Sequence, residues 1–119
     1  MSHPPPSPFP STTPPSCVAD FCLIPLGTPT ASVSQQVADV QRLLQTSGLT
    51  FSMHSAGTTV EGSWEEVMRV IGRAHTMLHE KGILRIQTDI RVGSRTDKKQ
   101  SFSEKVTAVE KLLAGDEKS

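Results

Sequence analysis

Three segments of this chain open with the same helix-start signal. Ser32-Val33-Ser34-Gln35, Ser63-Trp64-Glu65-Glu66 and Ser101-Phe102-Ser103-Glu104 all fit the capping box. In that motif a Ser side chain accepts an N–H of the first turn while Gln or Glu three residues on reaches back to the cap. Each box is followed by apolar residues at steps of three and four, which put one stripe on each helix. The stripes are Val33, Val37, Val40 and Leu44; Trp64, Val67, Met68, Ile71, His75 and Leu78; and Phe102, Val106, Val109 and Leu113. A glycine suited to the left-handed stop position follows each helix, at Gly48, Gly82 and Gly115.

Strand patterns fill the spaces between. Cys17 to Leu26 is apolar on both faces, as a central strand should be. Leu49 to Ser55 alternates, Thr58 to Glu61 follows a turn at Ala56-Gly57, and Leu84 to Val92 alternates most regularly. The order is β-α-β-β-α-β with a final α. This predicts an α+β, ferredoxin-like fold: an antiparallel four-stranded sheet with helices on one face and one extra C-terminal helix. The other face carries Thr50, Ser52, His54, Arg85, Gln87, Asp89 and Arg91.

Residues 17–114 are therefore expected to form the domain, and 115–119 a flexible C-terminus. Residues 1–16 hold seven of the nine prolines, with Ser and Thr between them. Such a composition cannot bury enough apolar surface to offset ordering, so a disordered, polyproline-like tail is expected. It has no apolar core of a secretory signal, and the first Lys or Arg is Arg42, so the cytoplasm is the expected location. Lys plus Arg and Asp plus Glu are 12 each. A balanced charge offers no global attraction for nucleic acid or an anionic membrane. Cys17 and Cys22 lie five positions apart in one strand, so they point to opposite faces and cannot bond to each other.

With these elements placed, the chain resembles the small thiamine-binding protein family from about Ala19 to Leu113. The residues that carry the likeness are Ile24-Pro25-Leu26-Gly27, Ser32-Val33-Ser34, Gly48-Leu49, Gly57-Thr58, the run from Glu61 to Met68, and Val92 to Lys98. The resemblance implies a ferredoxin-like fold and homodimers that pair into homotetramers through their sheets. It also implies binding of thiamine or its hydroxymethylpyrimidine moiety, with no catalytic activity and no further cofactor.

Thiamine presents a cationic thiazolium, an aminopyrimidine and a hydroxyethyl arm. A site for it needs an apolar or aromatic face, a carboxylate and neutral hydrogen-bonding groups. The segment from Gly57 to Trp64 supplies these types, so Gly57, Thr58, Glu61 and Trp64 are the expected ligand contacts. Arg95, in the polar loop Gly93 to Lys98, is the expected anion contact. Other roles compete for these residues. Trp64 begins a core stripe, Ser63 and Glu66 are explained as a cap, and the Arg95 loop suits an oligomer contact.

No metal site is expected. His75 and His79 have ligand spacing on a helix but no third ligand. Two other function classes remain open. One is a structural oligomer without a ligand. The other is a small enzyme of this fold, although the chain has no Asn for acylphosphatase chemistry and no nucleophile–base spacing. An RNA-recognition role is disfavoured, because the few aromatics fall on apolar stripes or the core side rather than on an open sheet.

Overall fold

A computed structural model describes residues 9–29, 32–97 and 102–117. Among them run β1 (Cys17–Leu26), α1 (Ser34–Ser47), β2 (Thr50–His54), β3 (Gly57–Gly62), α2 (Trp64–Glu80), β4 (Arg85–Gly93) and α3 (Phe102–Glu117). The four strands form one antiparallel sheet in the order β2-β3-β1-β4. This is the ferredoxin-like arrangement with a C-terminal helix.

Helix α2 explains why the sequence signals work where they do. Ser63 is its N-cap and accepts the Glu66 N–H at 3.2 Å. Val67, Val70, Ile71, Ala74 and Leu78 are all buried under it. Each Val, Ile or Leu so removed from water contributes roughly 1.5–3 kcal/mol. They meet Cys17, Ala19, Phe21 and Val60 of the sheet and Val40 and Leu44 of α1. That cluster is the core, and it lies on one face of β1 and β3.

Three local expectations are corrected. Helix α1 begins one residue later than the box implies, with Val33 as its cap and no side-chain cap bond. The Ser32 hydroxyl instead lies 3.1 Å from the Ser34 hydroxyl and accepts the Ser34 N–H at 3.4 Å, so it does not reach the third residue of the turn. Gly48 does close α1 in the left-handed conformation, with φ of 77°. Gly115 does not close α3, which runs through it to Glu117. Gly115 keeps an ordinary negative φ, and one glycine in an exposed helix costs only about 1 kcal/mol relative to Ala. Ser101, the expected cap of α3, lies outside the described residues, as does Lys98.

Residues 9–16 have no helix or strand, yet Pro14 and Thr13 touch the domain. The Pro14 carbonyl accepts the Trp64 N–H at 3.1 Å, and the Thr13 hydroxyl donates to Glu65 Oε1 at 3.5 Å. The contacts of the fold thus begin before residue 17.

Among the described residues, nothing covers the stripe on α3 beyond Phe102. Val106, Val109 and Leu113 are each more than half exposed.

Candidate functional site

The site follows from an asymmetry in how β1 is paired. β4 accompanies β1 from Val18 to Leu26, whereas β3 stops at the Phe21–Thr58 pair. Beyond Phe21, the side of β1 that β3 has left is bordered by the β2–β3 turn and the first turn of α1. Val33 and Val37, the first two residues of the α1 stripe, face this gap rather than the core. Together with Cys22, Leu23, Ile24 and Pro25 they line an apolar hollow of about 230 Å³ that reaches His54 and Gly57.

This hollow is one end of a furrow along the open face of β1. It shares Cys22 and Ala56 with a second hollow lined by Asp20, Asp89 and Arg91. The second shares Asp20 and Arg91 with a third, of about 330 Å³, between β1, β4 and α3. Arg95 and Lys105 line that last one, with Ser94 and Gly93 between. Passing along β1, the lining changes from apolar to acidic to basic.

Asp20 stands in the middle. It is the one charged residue in the ten-residue strand CVADFCLIPL, and strand alternation turns it away from the core. His54 Nε2 lies 2.7 Å from Asp20 Oδ1, and the Ala56 N–H donates to His54 Nδ1 at 3.2 Å. Since Nδ1 is an acceptor, Nε2 carries the proton and donates to Asp20. Both ring nitrogens of His54 are therefore used, and neither is left to deprotonate the Cys22 thiol. At the basic end Arg95 is held by Asp97 through two bonds, Nε to Oδ1 at 2.7 Å and Nη2 to Oδ2 at 2.5 Å. Those hydrogen bonds raise the Arg95 pKa.

The expected contact residues are divided by this geometry. Gly57 lines the apolar end of the furrow and Arg95 the basic end. Glu61 lies on the same open face, but its carboxylate accepts the Phe102 N–H at 3.1 Å and so holds the start of α3. Thr58 points to the helix side and is buried, where its hydroxyl accepts from Gln41 Nε2 at 2.9 Å. Trp64 is half-buried against the core. Neither side chain is offered to the furrow, because both follow the alternation and the stripe of their own elements. Asp20, Cys22, Arg91 and Lys105 were not expected. A lone carboxylate in an otherwise apolar central strand was the signal for Asp20.

A larger hollow, of about 450 Å³, lies between the segment Leu26 to Pro29 and the α2–β4 connection. It holds none of the expected contact residues. Among the described residues no group of His, Cys, Asp and Glu is arranged to hold a metal ion. No helix among them is long and apolar enough to cross a membrane.

Comparison with known proteins places the chain in a wider set. The sequence profile described as "Thiamine-binding protein" matches residues 19–110. The UPF0045 protein ECM15 of Eremothecium gossypii is 47% identical over 97 residues, covering 82% of this chain and 92% of its own. Among solved structures, a hypothetical protein of Methanocaldococcus jannascii superposes with a TM-score of 0.72 at 26% identity, covering 81% of this chain and 97% of its own. A Thermotoga maritima protein assigned provisionally to thiamine biosynthesis or salvage superposes with a TM-score of 0.67 at 18% identity. It covers 80% of this chain and 99% of its own, and at that identity it speaks for the fold alone.

Proposed function

The chain belongs to the thiamine-binding protein family, and on that premise we propose that it binds thiamine or its hydroxymethylpyrimidine moiety along the β1 furrow, as a homo-oligomer and without catalysis. The observation that carries the reading is the order of the furrow's lining. The apolar hollow at Cys22, Ile24, Val33 and Val37 suits a flat pyrimidine, and the free side of β1 beyond Phe21 offers backbone groups to its amino and ring nitrogens. The Asp20 carboxylate next along the strand suits the thiazolium cation.

Self-association is supported by α3. A helix with Val106, Val109, Leu112 and Leu113 all more than half exposed gains by covering them. The absence of catalysis is supported at His54, whose two nitrogens are committed to Asp20 and Ala56. A cytoplasmic setting is supported by two free thiols.

Calorimetric titration of the full chain with thiamine and with hydroxymethylpyrimidine tests the reading. Heat release and a raised melting temperature are expected. Flat titrations with both compounds would sink it. Native mass spectrometry of the same sample tests the oligomer, and a monomer at micromolar concentration would remove that part.

A further inference from the structure

The basic end of the furrow has more positive charge than thiamine itself can use. Among the described residues, neither Arg91 nor Lys105 takes part in an ion pair. They come from different elements, β4 and α3, and line one hollow with Arg95. This is a local concentration in a chain whose formal net charge is zero. Arg95 is already held by Asp97, so among the three cations of this hollow Arg91 and Lys105 are the two without an ion-pair partner among the described residues.

Spacing along β1 relates that pair to the rest of the furrow. Residues two apart on one face of a strand lie roughly 7 Å apart. Cys22, Asp20 and Val18 therefore mark three positions, two steps in all, over roughly 13 Å. Arg91 lies directly across from Asp20, and Gly93 across from Val18. A thiamine with its pyrimidine at Cys22 and its thiazolium at Asp20 directs its hydroxyethyl oxygen toward the hollow at Val18, Arg91 and Lys105. A neutral hydroxyl there would leave two cations without a partner. A phosphomonoester dianion would match them.

Resting on the thiamine reading above, we infer that the ligand this furrow prefers is a phosphate ester of thiamine, its phosphate held between Arg91 and Lys105. Charge-assisted hydrogen bonds of this type are the stronger class, so the preference is large enough to measure.

The test is calorimetry on the full chain with thiamine, thiamine monophosphate and thiamine diphosphate, repeated with an Arg91→Gln/Lys105→Gln double variant. The monophosphate is expected to bind roughly tenfold or more tightly than thiamine, with the gain shrinking as salt rises. The double variant is expected to lose that gain, so that thiamine and its monophosphate bind it about equally. Both side chains lie on the surface, and an unchanged melting temperature without ligand confirms that the variant is folded; Lys105→Gln alone serves if it is not. If thiamine and its esters bind equally, or the double variant keeps the preference, this inference falls while the thiamine reading stands. If none of the three binds, the thiamine reading falls and this inference with it.

Discussion

The Glu61 carboxylate and the Phe102 amide meet at 3.1 Å across 41 residues of sequence. Glu61 sits near the end of β3, and Phe102 is the first residue of α3. A carboxylate at that place satisfies one of the unpaired N–H groups of the helix start and faces the positive end of its dipole. Replacing Glu61 by Ala should cost about 1 kcal/mol. It should also speed hydrogen exchange of the first-turn amides of α3. Gln, which keeps an acceptor oxygen but not the charge, should fall between. Chemical denaturation and amide exchange on the three proteins check this; equal exchange would show that α3 is held by something else.

Gly57 is a second position where two segments approach closely. A β-carbon placed on it would lie 2.5 Å from the Phe21 carbonyl oxygen, which is backbone and cannot swing away. Gly57→Ala should therefore destabilise the β2–β3 hairpin against β1 by about 2 kcal/mol. Gly62→Ala provides the contrast. There the new carbon would meet Leu49 Cδ2 at 2.9 Å, the end of a flexible side chain. Urea denaturation midpoints should fall much further for the first than for the second.

The imidazole of His75 should make stability depend on pH. Burial lowers its pKa below the ordinary value, and the charge on His79 lowers it further. Its Nε2 lies 2.6 Å from the Thr88 hydroxyl, between α2 and β4. A group held below its unfolded pKa takes up its proton later in the folded state than in the unfolded one. Its contribution is complete above about pH 6.5 and is lost as pH falls toward the folded value. Denaturation midpoints should drop between pH 8 and pH 5, and His75→Gln should remove part of that drop. An identical pH profile in the variant would exclude His75 as a source.

Elements whose signals are local were legible in the sequence. The α2 cap at Ser63, the Gly48 stop and the two faces of β1 all follow from residues within a few positions of one another. Cys17 is buried and Cys22 is half-exposed, as alternation requires. The furrow was less legible because it arises from a mismatch of strand lengths. Nothing near Phe21 announces that β3 will end there while β4 continues. The same limit explains why Thr58 was expected at the ligand and found beneath α1. Its neighbours show that it is in a strand, but only the pairing of Phe21 with Thr58 shows which face it takes. Glu61 was expected at the ligand, yet its partner is supplied by a helix forty-one positions away.

The contact between Pro14 and Trp64 bears on how the segment ahead of β1 can vary. The acceptor is a main-chain carbonyl, which every residue has and which proline keeps although it lacks an N–H. Substitution at position 14 therefore leaves the bond chemically available, whereas an insertion or deletion between it and Cys17 moves the carbonyl away from the start of α2. Selection acting through this bond would hold the spacing of the leader and leave its alphabet free to drift.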